Sequence, residues 1–168
     1  MNRDELAKRV LQAAQACDAF LATAESCTAG MLAASLASAP GAAERFHGGV
    51  VAYTKPMKQA LLGVSSELLA RKTAVCPEVA EAMAQGVLQR CPANVAVAIT
   101  GVAGPEPDED GNPVGLFYCA VAVRGGTVRS HRLCGSSKDR SVLMDEAARA
   151  ALQLLLEGCD ASVKAAGC

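Results

Sequence analysis

Three segments of this 168-residue chain carry side chains able to do covalent chemistry, and each follows a strand-like run. The first is Ala24-Glu25-Ser26-Cys27-Thr28-Ala29-Gly30. It sets three candidate nucleophiles, Ser26, Cys27 and Thr28, at a strand-to-helix passage. A helix start offers free N–H groups and the positive end of a dipole, which suit a phosphate or a developing oxyanion. The plainer use of Ser26 or Thr28 is as an N-cap, which stabilises by about 1 kcal/mol. The second segment is Gly48-Gly49-Val50-Val51-Ala52-Tyr53-Thr54-Lys55-Pro56-Met57-Lys58. A lysine acts as a base only when desolvation or nearby positive charge lowers its pKa by several units. Lys58 stands among Met57, Ala60, Leu61 and Leu62, so partial burial is expected, and Lys55 supplies a neighbouring charge. Tyr53 can relay a proton or stack on a flat ring. The alternative is a solvated helix lysine beside a half-buried strand aromatic.

The third segment is Ile99-Thr100-Gly101-Val102-Ala103-Gly104-Pro105. Thr100 places a hydroxyl at a strand end, and the glycines let backbone approach a ligand closely; the alternative is an ordinary Gly-Pro turn. A further element, Asp139-Arg140, opens the last helix, where Arg140 can clamp a phosphate bidentately or form a surface ion pair. Other chemistries are excluded by inspection. No two glycines stand two apart, so a GxGxxG dinucleotide turn cannot occur. There is no GK[ST], no HExxH, no GxSxG elbow and no SxxK. The chain has only two histidines, His47 and His131, and nothing favours a Ser-His-Asp triad.

These segments need a scaffold, and the hydrophobic pattern supplies one. Helices are expected over 3–16, Thr28–Ser38, Lys55–Leu62, Ser65–Arg71 (with Ser66 as a cap), Pro77–Gln89 and 137–157. Strands are expected over Ala19–Ala24, Gly49–Tyr53, Asn94–Ile99, Gly115–Val123 and Thr127–Leu133. The last two flank Arg124-Gly125-Gly126, a hairpin signal. Strands alternating with helices imply a single-domain three-layer α/β/α sandwich with a mixed, mostly parallel sheet. The domain is expected to span 1–158, with a flexible tail over 159–168 after Gly158 and Ser136 or Ser137 capping the last helix. Glu106–Gly111 reads as an acidic loop.

Composition agrees with one folded domain: 51% of residues are apolar. Sixteen basic and seventeen acidic residues leave a formal charge of -1, which argues against nucleic acid as a partner. No apolar run approaches the ~20 residues of a membrane span, and MNRDELAKRV has no secretory h-region. Eight cysteines show no CxxC spacing, so no zinc site is expected. They read mostly as small buried hydrophobes of a cytoplasmic protein, with Cys27 set apart by its neighbours.

Several of these stretches occur together in a known family. AESCTAG, GGVVAYTKPMKQALLGV, AVCPEVAEAMAQG, AITGVAGP with NPVG, and KDR before a terminal helix resemble, in order and spacing, the CinA C-terminal-domain family over roughly 5–157. The resemblance implies a nicotinamide-nucleotide amidohydrolase of the stand-alone form. It would convert nicotinamide mononucleotide to nicotinate mononucleotide and ammonia, using a serine and a lysine with no metal or cofactor. The family serine falls on Ser26, the lysine on Lys58, the motif tyrosine on Tyr53 and the ITG threonine on Thr100, which are the implied catalytic residues. Glu25, Cys27, Thr28, Ala29, Gly30, Gly101, Ala103, Gly104 and Arg140 are the implied substrate-binding residues. A small-molecule nucleotide is the implied substrate. A homo-oligomer is expected through the apolar face of 28–38 or the Ala-rich 147–156 helix. Two other functions remain open: a non-catalytic nucleotide-binding module, and an amidase for another carboxamide.

The chain departs from the family pattern at four places. Ala29 stands where the first Gly of TGG is usual, and Lys55 replaces a common Asn. Met144 takes the place of a second arginine. The 106–112 loop is acidic instead of carrying a Gly-Gly-Thr run, which is unfavourable near a phosphate unless it points away.

Overall fold

The computed structural model describes residues 1–166. The first helix, α1 (Arg3–Ala16), starts where a capping box sets it. The Asn2 side chain accepts the Glu5 N–H at 2.9 Å, and the Glu5 carboxylate accepts the Asn2 N–H at 3.2 Å. Then come β1 (Leu21–Glu25), α2 (Met31–Ala37), a short α3 (Ala42–Arg45) and β2 (Phe46–Val51). Next are α4 (Lys55–Leu62), α5 (Ser66–Arg71), α6 (Pro77–Arg90) and β3 (Val95–Gly101). The hairpin β4 (Leu116–Val123) and β5 (Val128–Cys134) precedes α7 (Arg140–Ala166). α4 has the expected bounds: Thr54 accepts the Met57 N–H, Pro56 sits in the first turn, and Gly63 (φ 69°) stops it.

Four local expectations are corrected. α2 begins at Met31 and not Thr28, because Ala29 (φ 50°) and Gly30 (φ 98°) are left-handed. That conformation costs an alanine roughly 1–2 kcal/mol, which is why a glycine suits position 29. α5 is capped by Ser65, whose hydroxyl accepts the Leu68 N–H at 3.0 Å, and not by Ser66. α7 is capped by Asp139, which accepts the Ser141 and Val142 N–H groups at 2.8 and 3.2 Å. Ser136 instead binds Glu146. Finally, α7, expected to end at 157, continues as far as Ala166, and 167–168 lie outside the described residues. Gly158 does not stop the helix; it lets α7 lie close on the sheet. A Cβ there would sit 2.6 Å from Val95 and 2.8 Å from Val121.

The sheet order is β2-β1-β3-β4-β5. β1 pairs parallel with β2 and β3, while β4 is antiparallel to both β3 and β5, so β4 alone is reversed. The sandwich has three layers, and the alternation along β3 shows why. Val95, Val97 and Ile99 face α1, α2 and α7, whereas Ala96 and Ala98 face α4 and α6. Small residues on the second face leave room for α6 to come close. Gly86 of α6 meets α4 in the same way: a Cβ there would lie 2.0 Å from the Leu62 carbonyl oxygen. Gly86→Ala is therefore expected to destabilise the fold by about 1–3 kcal/mol, despite its better helix propensity. Thermal unfolding should show a Tm lowered by several degrees.

Neither apolar face expected to join copies is free. Leu32 and Leu36 of α2 and Ala147, Ala151, Leu152 and Leu155 of α7 lie in the core. Among the described residues, no helix is long and apolar enough to cross a membrane.

Candidate active site

The chain reverses its winding at β1. It leaves β1 for β2 on one side, then crosses to β3 on the other. Such a switch point opens a crevice at the carboxyl ends of the strands. Ser26 follows the last residue of β1 directly. Its backbone N–H donates to the Ile99 carbonyl of β3 at 3.0 Å, and the Ala52 N–H donates to the Glu25 carbonyl at 2.8 Å. Both neighbouring strand ends are thus tied to the segment that carries the hydroxyl.

Lys58 reaches this point from the first turn of α4. It is only 2% exposed, and its Nζ lies 2.7 Å from the Ser26 Oγ. Nζ also donates to the Ala52 and Tyr53 carbonyls, each at 3.2 Å, while Ser26 Oγ donates to the Tyr53 carbonyl at 3.2 Å. Burial brings the lysine down to about 8, with the charge of Lys55 adding to the same direction. Cys27 and Glu109 oppose it. An amine titrating there is a usable base near neutral pH. Losing its proton turns Nζ from a donor to Oγ into an acceptor from it. If this pair is catalytic, kcat/KM rises with pH along a limb centred near 8 and levels off above it. A pH–rate profile checks this; an ordinary exposed lysine would place that limb about two units higher.

Cys27 lies beside the pair, but burial pushes its thiol up to about 12, so it is no thiolate at neutral pH. Thr28 is 1% exposed, and its hydroxyl donates to the Glu25 carboxylate at 2.7 Å, away from Lys58. That carboxylate also accepts the N–H groups of Gly30, Leu32 and Ala33, at 3.1, 3.0 and 2.8 Å. The start of α2, which sequence patterning offered to a phosphate or oxyanion, is occupied by the chain's own Glu25.

A cavity of about 580 Å³ opens over the pair. Ser26, Cys27, Tyr53, Lys58, Thr100, Gly101, Ala103, Gly104 and Arg140 all border it. Glu25, Thr28, Ala29 and Gly30 do not. Thr100 spends its hydroxyl on the Ala74 carbonyl at 2.7 Å, holding the α5–α6 connection against β3. Arg140 donates to the Gly104 carbonyl at 2.6 Å and to the Tyr53 hydroxyl at 3.1 Å. Cys27, Ala103 and Gly104 have backbone N–H groups that donate to no acceptor among the described residues. Among those residues, no three His, Cys, Asp or Glu side chains are grouped to hold a metal ion.

Sequence reasoning missed the outer wall. The acidic loop does not point away: Glu106, Asp108, Glu109 and Asp110 border the cavity. Lys55 grips the loop, with Nζ 2.7 Å from Asp110 and 3.2 Å from Glu109. The bond to Asp110 raises Lys55 above its ordinary value and lowers Asp110 below its own. Two departures from the family pattern, a lysine at 55 and an acidic loop, therefore meet each other. A loop carboxylate could have been matched to Lys55 on charge alone, but their separation in sequence gave no reason to pair them.

The comparisons agree with this architecture. A crystal structure of a competence/damage inducible protein from Agrobacterium tumefaciens has a TM-score of 0.89 and is 36% identical, covering 94% of this chain and 95% of that one. A CinA superfamily protein from Klebsiella pneumoniae has a TM-score of 0.91 at 36% identity, covering 96% and 99%. A CinA-like protein of Myxococcus xanthus is 42% identical over 133 residues, 79% of this chain and 32% of that protein. One from Mycolicibacterium vanbaalenii is 51% identical over 121 residues, 71% of this chain and 29% of that protein. The chain thus spans about a third of the length of these curated relatives. A family model described as the CinA C-terminal domain matches residues 3–159, and with it the order of motifs around Ser26 and Lys58: the chain belongs to the CinA C-terminal-domain family.

Proposed function

We propose that this chain hydrolyses the carboxamide of a nicotinamide nucleotide, releasing ammonia, with Ser26 as nucleophile and Lys58 as base. The 2.7 Å contact between Lys58 Nζ and Ser26 Oγ in a buried pocket carries this reading. Deprotonated Nζ takes the Oγ proton as Oγ attacks the amide carbon. The carbonyl oxygen becomes an oxyanion, and the unengaged N–H groups of Cys27, Ala103 and Gly104 are the donors available to it. Lys58 then passes its proton to the amide nitrogen, the C–N bond breaks and ammonia leaves. A water molecule, giving its proton to the same amine, cleaves the resulting ester and returns Ser26. Amide and water become carboxylate and ammonium.

The geometry favours Ser26 over Thr28 and Cys27. Thr28 is bound to Glu25, and the Cys27 thiol keeps its proton. Tyr53, 53% exposed and held by Arg140, offers a ring against which a pyridine ring can lie.

The test is a coupled ammonia assay on purified protein with nicotinamide mononucleotide, with and without chelator. Ammonia and nicotinate mononucleotide are expected in equal amounts, unchanged by chelator. Binding without turnover would support a nucleotide-binding module instead, and loss of activity on chelation would sink the Ser/Lys mechanism.

A further inference from the structure

The 106–112 loop is braced from two directions. On one side it leans on the connection between α5 and α6. The Asp110 carboxylate accepts the Ala74 N–H at 3.2 Å, and the Asn112 side-chain amide donates to the Thr73 hydroxyl at 2.8 Å. Asp108 folds the loop on itself by accepting the Asp110 and Asn112 N–H groups at 3.1 and 2.7 Å. On the other side Lys55, at the start of α4, holds Asp110 at 2.7 Å and Glu109 at 3.2 Å. These two contacts are unequal. The Glu109 side chain is 73% exposed, so its pairing is weak, whereas the Lys55 and Asp110 side chains are 26% and 24% exposed and hold each other largely out of water. Lys55, Pro56 and Asp110 also border a neighbouring cavity of about 360 Å³ that extends to Gln59, Leu69 and Lys72. The Lys55–Asp110 pair is thus a partition shared by two cavities.

Lys58 lies one turn along α4 from Lys55. Parting Lys55 from Asp110 would join the cavities, admit water to the base from the side of α5, and leave the loop carboxylates uncompensated beside base and substrate. We propose that Lys55 is a positioning residue of this site: it holds the 106–112 loop shut as a wall over Ser26 and Lys58, and offsets that wall's negative charge against an anionic nucleotide. The inference rests on the amide-hydrolase reading of Ser26 and Lys58 and adds the device that closes their cavity. The other groups around Lys58 leave this part to Lys55. Cys27, after β1, keeps its proton. Arg140, from α7, gives N–H groups to the Gly104 carbonyl and the Tyr53 hydroxyl, and pairs with no carboxylate among the described residues. Glu106 and Asp108 border the cavity from the same loop as Glu109 and Asp110. Burial holds Lys58 low and the Lys55 charge adds to this, while Cys27 and Glu109 oppose it. Loss of Lys55 therefore moves Lys58 up on two counts, by admitting water and by removing a like charge. Lys55 itself stays protonated, because its bond to Asp110 raises it.

The experiment sets the wild-type chain beside Lys55→Met, Lys55→Arg and the triple variant Lys55→Met, Glu109→Gln, Asp110→Asn, with nicotinamide mononucleotide as substrate and ammonia as readout. Lys55→Met is expected to raise KM about three- to tenfold, while kcat on the high-pH plateau changes by less than about twofold. At pH 7 its kcat/KM should fall by a further factor of about three, because the rising limb moves to higher pH. Lys55→Arg can hold both carboxylates and should stay within about twofold of the wild type. The triple variant should recover most of the lost KM and bring the limb back, since no bare carboxylate is left on the Lys55 side. A readout independent of turnover is the Lys58 ammonium itself, followed across pH by lysine-selective NMR. It should titrate higher in Lys55→Met than in the wild type. An unchanged KM or an unchanged Lys58 titration in Lys55→Met overturns the inference and leaves amide hydrolysis in place. A triple variant as impaired as Lys55→Met does the same. If the wild-type chain releases no ammonia, the amide-hydrolase reading fails by itself, and the NMR titration still decides the part played by Lys55.

Discussion

Replacing Lys58 by methionine is expected to lower kcat/KM for ammonia release by about 10²–10⁴-fold, the usual effect of removing a positioned general base. Methionine keeps the length of the stem and fills a site that is 2% exposed, so the pocket does not collapse. What disappears is the amine that lies 2.7 Å from the Ser26 hydroxyl. The readout separates a base from a packing residue. Residual activity should no longer show the limb near pH 8 that the buried amine produces. Lys58→Arg should fail equally, because a guanidinium does not give up its proton in this range. Full activity in either variant would remove Lys58 from the mechanism.

Ser26→Ala should be at least as damaging, on the order of 10⁴-fold or more in kcat, since nucleophile and base act as one unit. Neither neighbouring candidate can replace it: Cys27 stays protonated and Thr28 is committed to Glu25. The losses should not add. The Ser26→Ala, Lys58→Met double variant is expected to be no slower than the worse single variant. Hydroxylamine offers a second measurement. It should trap the acyl group of the wild-type enzyme as a hydroxamate and yield none with Ser26→Ala. Retained turnover in Ser26→Ala would mean that water attacks the amide directly with Lys58 as its base.

Much of this was legible in the chain because it depends on local rules. The start of α1 follows from Asn2 and Glu5, and the bounds of α4 from Thr54, Pro56 and Gly63. The meeting of Ser26 and Lys58 came from the family motifs, with apolar neighbours suggesting that Lys58 is buried. What escaped depends on tertiary context. Gly158 looks like a helix stop, yet it serves close contact with Val95 and Val121. The start of α2 looks like an anion site until Glu25 is seen to fill it. The acidic loop could be read either as pointing away or as part of the wall, and only the pairing of Lys55 with Asp110 decides. The carbonyls of Ala52 and Tyr53, which hold the lysine in place, are backbone groups with no side-chain signature.

Arg140 joins three parts of the chain that are remote in sequence: its own helix α7, the Tyr53 hydroxyl after β2, and the Gly104 carbonyl after β3. This gives assembly of the pocket an order in time. Position 140 is the last part of it to leave the ribosome. Until it does, nothing fastens the phenol to the neighbouring turn, and α7 is not there to cover the face of β3 that carries Val95, Val97 and Ile99. The pocket is therefore closed on that side only when the final helix docks.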